Sequence, residues 1–112
     1  MTEIQQYRKV SAEQMGINYK VVGKALIYST VYGWGEWHPD QDYNQMAMMK
    51  KKLIEEGCFL NYLYAGETHH WNIDDSRNRG KVERYSEGIE GVAKDELIAF
   101  MKAWTEYNSK DK

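Results

Sequence analysis

The sequence predicts a single α+β domain in which helices pack on one small antiparallel sheet of about three strands. Its 112 residues are 42% hydrophobic and 29% charged, the size and composition of one globular domain with a hydrophobic core. Aromatic residues make up 13% of the chain, which argues against disorder. Helix-like and strand-like patterns follow one another in the order α-α-β-β-β-α, which is typical of this class. Residues 1–112 are therefore predicted to form one domain.

Residues 1–16 are predicted to be an N-terminal extension with two short helical turns. The first turn is indicated by three apolar side chains spaced by three: Ile4, Tyr7 and Val10. Ser11 suits the N-cap of the second turn, and Gly16 suits its end. At the opposite end of the chain, residues 108–112 are predicted to be a polar tail.

Residues 18–32 are predicted to form the first full helix. Their apolar side chains recur at helical spacing: Val21, Ala25, Tyr28 and Tyr32. Gly23 and five β-branched residues in the same segment weaken this prediction. The alternative is a strand across residues 25–32.

The stretch VYGWGEWHPDQD, residues 31–42, is predicted to be the corner between this helix and the next. Gly33 suits the end of the first helix, and Pro39 suits the first turn of the second. Either Asp40 or Asp42 can supply the N-cap of the second helix.

The two tryptophans of this corner are predicted to differ in burial. Trp34 follows the apolar side that ends at Tyr32, so we expect it to be largely buried. Trp37 has no apolar neighbour in the sequence, so we expect it to show a face to solvent or to a partner. The corner would then be a structural element first and a contact surface second.

The second helix is predicted from DYNQMAMMKKKLIEE, residues 42–56, and Gly57 suits its end. Its predicted apolar side consists of Tyr43, Met46, Ala47, Leu53 and Ile54. Strands are predicted next, at residues 58–66 and 67–75, which are rich in aromatic and apolar side chains. After a turn at residues 75–80, the last elements are a strand at residues 80–88 and a helix at residues 92–107.

Charge and cysteine content narrow the function classes. With 15 basic and 17 acidic residues, the net charge of -2 gives no strong electrostatic reason to bind nucleic acid or an anionic membrane. Cys58 is the one cysteine, so no internal disulfide can form and a reducing, cytosolic location is expected. The sequence shows neither a signal peptide nor an apolar run long enough to cross a membrane.

No pattern of residues predicts an enzyme, a metal site or a cofactor. His69 and His70 are adjacent on a predicted strand and point to opposite faces, so they cannot hold one metal ion together. The sequence contains no glycine-rich phosphate-binding loop and no G-x-S-x-G motif. We therefore expect no catalytic residue, no metal ligand and no cofactor.

A DNA-binding alternative comes from residues 11–26, whose spacing matches a helix-turn-helix. In this alternative Gly16 lies in the turn and Asn18 caps the second helix. The side chains that would contact DNA are Arg8, Lys9, Asn18, Tyr19, Lys20 and Lys24.

The aromatic content favours protein binding, because tryptophan and tyrosine are enriched at the energetic centres of interfaces. The residues predicted to contact a partner lie in the corner and near the tip of the first two strands: Trp37, His38, Tyr64, His69 and Trp71. The partner would be another protein or a second copy of the chain. A third function class is a nucleotide-binding protein that stacks bases on exposed aromatic side chains.

Several segments together resemble the phage ABA sandwich domain, a family of small proteins encoded by tailed phages and prophages. They are VVGKALIYSTVYGW, DYNQMAMMKKKLIEEG, FLNYLYAG, HHWNI and DELIAFMKAW. Gly33 and Trp34 match the Gly-Trp that ends a helix in the family, Pro39 and Asp40 match its turn, and Trp71 matches a strand aromatic. The closing helix departs from the family, which often has an alanine-rich, cysteine-containing end.

This resemblance implies a phage origin and a fold, but no mechanism, because the family carries no established catalytic residues. The resemblance, the lack of a catalytic motif and the high aromatic content together suggest a non-enzymatic accessory protein. Such a protein would act in the cytoplasm of the infected bacterial host cell. The expected partner is a host protein or a component of the host defence system, which the protein would inhibit.

Overall fold

A computed structural model of the protein describes residues 2–75 and 89–109. These residues form three helices and six strands: α1 (Glu3–Gln14), β1 (Tyr19–Val22), β2 (Ala25–Thr30), β3 (Gly33–Glu36), α2 (Tyr43–Glu55), β4 (Cys58–Ala65), β5 (Thr68–Asp75), β6 (Ile89–Ala93) and α3 (Glu96–Ser109). The strands form two antiparallel three-stranded sheets, in the orders β1-β2-β3 and β4-β5-β6. The predicted α+β class is confirmed, with two sheets in place of one.

The predicted helix at residues 18–32 is wrong, because this segment forms β1, β2 and the turn after β2. Gly23, with φ of 62°, permits the tight turn that pairs Val22 with Ala25. The β-branched residues that weaken a helix pack well on a pleated sheet and so favour a strand. Leu26 and Tyr28, two residues apart on β2, both pack against the core. The alternative of a strand is correct for residues 25–30.

α1 is one continuous helix that belongs to the core of the fold. It begins with a capping box, in which Thr2 Oγ1 accepts from the N–H of Gln5 and Gln5 Oε1 accepts from the N–H of Thr2. Ser11 and Ala12, predicted to start a separate turn, lie inside α1 and are fully buried. Because α1 packs against α3 and β2, it is not an extension appended to the domain.

α2 confirms the second predicted helix, and Asp42 rather than Asp40 is its cap. Asp42 Oδ1 accepts hydrogen bonds from the backbone N–H groups of Asn44, at 2.8 Å, and Gln45, at 3.2 Å. The buried side consists of Gln45, Met46, Met49 and Leu53. Of the five residues on the predicted apolar side, Met46 and Leu53 are buried, whereas Tyr43, Ala47 and Ile54 are exposed.

β4 and β5 confirm two predicted strands, and they pair in continuous register from Cys58↔Asp75 to Ala65↔Thr68. The predicted strand at residues 80–88 and residues 76–80 of the predicted turn lie outside the described residues.

β6 occupies the segment in which the last helix was expected to begin, so residues 92 and 93 lie on a strand. α3 begins at Glu96 because Asp95 caps it. The Asp95 carboxylate accepts from the N–H groups of Leu97, at 2.9 Å, and Ile98, at 3.1 Å.

The helices connect the two sheets through one hydrophobic core. α3 packs on β5 and β6, α2 packs on β4, and α1 packs on α3 and β2. α3 approaches Gly91 so closely that a Cβ there would lie 2.1 Å from the carbonyl oxygen of Ala99. The largest fully buried side chains include Trp37, Trp104, Phe100, Met46 and Met49. Within the described residues, no helix has the length and apolar character needed to cross a membrane.

Candidate functional site

The predicted burial of the two corner tryptophans is reversed in the structure. Trp37 is 0% exposed, and its indole N–H donates a 2.9 Å hydrogen bond to Ser11 Oγ on α1. Its ring packs edge-on against Tyr28, with ring centroids 5.3 Å apart. Trp34 is 50% exposed because it lies on β3, opposite Ser29, on the face of the sheet that points away from Leu26 and Tyr28. Trp37 is therefore a core residue and not a partner contact.

The corner around Trp37 is built from buried polar groups. The Arg8 guanidinium binds the Asp40 carboxylate through two hydrogen bonds, Nε–Oδ1 at 2.7 Å and Nη2–Oδ2 at 3.0 Å. Hydrogen bonding to Asp40 raises the pKa of Arg8 above its ordinary value. Because the Arg8 and Asp40 side chains are only 12% and 4% exposed, this pair holds α1 against the corner.

His38 is also held inside the corner. Its backbone N–H donates to Gln45 Oε1 at 2.7 Å, and Gln45 Nε2 donates to the carbonyl oxygen of Glu36 at 2.8 Å. His38 Nδ1 is buried. The predicted partner contacts Trp37 and His38 are thus structural parts of the corner.

The helix-turn-helix predicted at residues 11–26 does not form, because residues 19–22 and 25–30 are strands. Asn18 caps no helix, and its carbonyl oxygen accepts from the N–H of Ser29. The Tyr19 hydroxyl donates to Glu13 at 2.8 Å, so it too serves the fold. The residues assigned to DNA contact in that alternative do not lie on a recognition helix.

Three of those basic residues nevertheless lie together, in a groove of about 280 Å³ between α1 and the β1–β2 hairpin. The groove is lined by Gln5, Arg8, Lys9, Val21, Gly23, Lys24, Ala25 and Leu26. The Gln5 amide donates to the carbonyl oxygen of Lys24 at 3.4 Å, which joins the helix to the hairpin. Since Arg8 is bound to Asp40, Lys9 and Lys24 are the cations that this groove can offer to a ligand.

The other three predicted partner contacts meet in an aromatic cluster, formed by Tyr62, Tyr64, His69 and Trp71 on one face of β4 and β5. Cross-strand pairing places Tyr62 opposite Trp71 and Tyr64 opposite His69. The His69 ring centroid lies 4.7 Å from that of Tyr64 and 5.8 Å from that of Tyr62. The Tyr62 hydroxyl lies 2.5 Å from His69 Nδ1.

Only part of the aromatic cluster is accessible. Trp71 is 6% exposed and packs edge-on against Phe100, so it is a core residue, contrary to the prediction of a partner contact. Tyr62 and Tyr64 are about half exposed. Tyr62 was missed as a site residue, although its spacing of two from Tyr64 on a strand indicates a shared face.

Tyr43 of α2 lies beside this cluster. Its hydroxyl donates to Glu96 Oε1 at 3.4 Å, and the negative charge of Glu96 raises the pKa of Tyr43 above its ordinary value.

The two histidines of β5 lie on opposite faces, as the sequence predicts. His69 contacts Tyr62 and Tyr64, while His70 contacts Thr68 Oγ1 at 2.9 Å and Glu90 at 3.3 Å. Within residues 2–75 and 89–109, no three His, Cys, Asp or Glu side chains are grouped so that they could hold a metal ion.

The two most exposed apolar side chains, Val31 and Tyr32, form the turn between β2 and β3. We define the hairpin surface as these two residues with Lys20, Val22 and Trp34. Val31 is 92% exposed, Tyr32 is 98% exposed, and Val22 is 54% exposed. The Lys20 ammonium lies 4.4 Å from the centre of the Trp34 ring. Val31, Tyr32 and Trp34 were not predicted as site residues, because a helix at residues 18–32 would place Tyr32 and Trp34 on its buried side.

The turn that presents this surface is fixed by a side chain. Thr30 Oγ1 accepts from the N–H of Tyr32 at 3.1 Å and donates to the carbonyl oxygen of Gly33 at 2.7 Å. Gly33 adopts φ of 116°, which a residue with a side chain rarely adopts. The Thr30 side chain and the conformation of Gly33 together set the direction in which the tip projects.

Comparisons with models of protein families, with curated proteins and with solved structures gave no match to this chain. Gly33 and Trp34, which contribute to the resemblance to the phage ABA sandwich domain, begin β3 and do not end a helix. Pro39 and Asp40 do precede a capped helix, as that resemblance implies.

Proposed function

We propose that the protein acts by binding another protein, and that it makes this contact with the hairpin surface. The observation that carries the proposal is the exposure of Val31 and Tyr32, 92% and 98%, at the tip of one hairpin. Side chains so exposed add little to the stability of the fold, whereas tyrosine and tryptophan bury a large area at low entropic cost when they bind.

The rest of the hairpin surface suits the same role. Trp34 offers a half-exposed ring beside the tip, and Lys20 adds a positive charge above it. A rigid aromatic projection with a charged border has the composition of an interface hot spot. Because Thr30 already orders the turn, little further ordering is needed on binding.

The partner that we propose is a host protein or a component of a host defence system. This part of the proposal is supported by the resemblance to the phage ABA sandwich domain and by the lack of a catalytic motif in the sequence. The protein would then be a non-enzymatic phage accessory protein that inhibits or diverts its partner inside the infected bacterial cell.

The test compares capture of partners by the wild type and by the double variant Tyr32→Ser/Trp34→Ser. Met48→Ser is the matched control, because Met48 is 43% exposed on α2, away from the hairpin. Tagged proteins are incubated with lysate of infected bacteria, and a captured protein is purified and titrated against each variant. We expect the double variant to bind at least about tenfold more weakly and Met48→Ser to bind as the wild type does. Equal binding by all three, or no captured protein, would contradict the proposal.

A second candidate function is the binding of a small anionic ligand such as a nucleotide. The groove beside α1 favours it, because Lys9 and Lys24 border an apolar floor that includes Ala25 and Leu26. Nucleotides at millimolar concentration should then raise the melting temperature of the wild type and not of Lys9→Gln/Lys24→Gln. An unchanged melting temperature of the wild type would exclude this candidate.

A further inference from the structure

Among the residues that the structure describes, β4 is an edge strand, and its outer half lacks the charge, proline or bulge that commonly protects such an edge. Within the described residues it pairs only with β5, and its register with β5 runs without a bulge. The segment Asn61–Ala65 is exposed throughout and contains neither a charged residue nor a proline. Natural edge strands normally carry a charge, a proline or a bulge, because an unprotected edge offers backbone N–H and C=O groups to another strand.

The same segment is self-complementary. Two antiparallel copies present matching faces only when residues of the same parity stand opposite each other, since side chains alternate between faces. If Leu63 faces Leu63 of a second copy, Tyr62 of each chain stands opposite Tyr64 of the other. This pairing has the two-fold symmetry of an isologous dimer, and the sequence Tyr-Leu-Tyr places only tyrosines and leucines opposite one another at its centre.

We infer that β4 pairs antiparallel with β4 of a second copy of the chain, with Leu63 on the two-fold axis. The β4-β5-β6 sheets of the two copies would then form one continuous sheet of six strands. No like charges meet along Asn61–Ala65, because none of these residues is charged. On the face that carries the aromatic cluster, the ladder Trp71–Tyr62 and His69–Tyr64 continues into the tyrosines of the second copy.

The area available sets the strength of this dimer. Tyr43, Tyr62, Leu63 and Tyr64 are between 44% and 61% exposed, and Tyr43 lies beside the cluster. A buried aromatic side chain covers roughly 150–250 Å², so these residues of two copies would bury on the order of 800 Å². That area lies below the range of stable specific interfaces and is typical of weak, transient ones, so we expect the dimer to form only at high protein concentration. This surface is separate from the hairpin surface, so the two proposals can fail independently.

The first test measures the mass of the full chain by sedimentation over a range of concentrations. The variant Leu63→Lys places two ammonium groups against each other at the axis, and Val92→Lys is its control. Val92 lies on the opposite edge strand β6 and is 36% exposed. We expect a concentration-dependent dimer for the wild type and Val92→Lys, and at least a tenfold weaker dimer for Leu63→Lys. A wild type that stays monomeric to millimolar concentration, or a Leu63→Lys dimer of unchanged strength, would overturn the inference.

The second test examines the register. Directly opposite residues of antiparallel strands have Cα atoms about 4.5–5.5 Å apart, within the range of a disulfide. Under mild oxidation Leu63→Cys should therefore yield a covalent dimer, whereas Ala65→Cys, which would face Asn61, should not. Cross-linking of Ala65→Cys in preference to Leu63→Cys would refute the register. If the wild type is monomeric and captures a different protein, and Leu63→Lys abolishes that capture, then the edge of β4 binds that protein and not a second copy.

Discussion

The indole N–H of Trp37 donates a 2.9 Å hydrogen bond to the hydroxyl of Ser11, and both side chains are fully buried. This bond joins the corner before α2 to α1. We expect Trp37→Ala to lower the free energy of unfolding by about 3–5 kcal/mol, because it leaves a cavity and removes the hydrogen bond that Ser11 Oγ accepts. Trp34→Ala, at a half-exposed position, should cost less than about 1 kcal/mol. Urea denaturation of both variants measures the difference in the free energy of unfolding. A larger loss of stability for Trp34→Ala than for Trp37→Ala would contradict the burial of Trp37 and the exposure of Trp34.

The ion pair of Arg8 and Asp40 is expected to contribute more than a surface pair. Removing one partner leaves a charge that is almost buried, so Asp40→Ala should cost about 3 kcal/mol. The double variant Arg8→Met/Asp40→Leu removes both charges and should recover part of that loss. Urea denaturation of Arg8→Met, Asp40→Leu and the double variant gives the coupling. If Asp40→Ala unfolds at the same urea concentration as the wild type, the pair does not hold the corner.

Gly91 is required by the close approach of α3 to β6. A methyl group there would lie 2.1 Å from the carbonyl oxygen of Ala99 and 2.5 Å from the backbone nitrogen of Ala103. Because these are backbone atoms, the helix has to move, and Gly91→Ala should cost at least about 3 kcal/mol or prevent folding. Gly35→Ala is the control, since its nearest atom, in the ring of Tyr28, is 3.7 Å away. Equal thermal stability of the two variants would contradict this packing.

Stability at alkaline pH is expected to depend on Tyr7. Burial, and then the neighbouring carboxylate of Glu3, raise the pKa of Tyr7 to about 12. An unfolded tyrosine has a pKa of about 10, so the folded chain binds this proton more tightly. The stabilisation is therefore complete below about pH 10 and is lost as the pH rises towards 12. Denaturation at pH 9, 10 and 11 should show a smaller decline for Tyr7→Phe than for the wild type. Tyr32→Phe, at an exposed ring, is the control for loss of a hydroxyl, and parallel declines for Tyr7→Phe and the wild type would refute the assignment.

The sequence by itself determined the elements whose signals are local. α2 is recognisable because a capping residue, an apolar helical stripe and a terminal glycine all occur in one short stretch, from Asp42 to Gly57. β4 and β5 are recognisable because aromatic residues and a turn leave no competing pattern at 58–75. The opposite orientation of His69 and His70 follows from strand geometry alone.

Only the tertiary structure determined that the segment from Tyr19 to Glu36 forms three strands. The location of the hairpin surface follows from these strands. The apolar residues of the segment fit both a helical and an alternating pattern, so the strand pairing of β2 with β1 and β3 selects between them. The strand pairing reverses the predicted burial of the two tryptophans. The alternation of side chains along β3 points Trp34 to solvent, while Trp37 lies after the end of the strand and donates to Ser11 on α1. Such contacts join residues far apart in the chain, and no local spacing carries information about them.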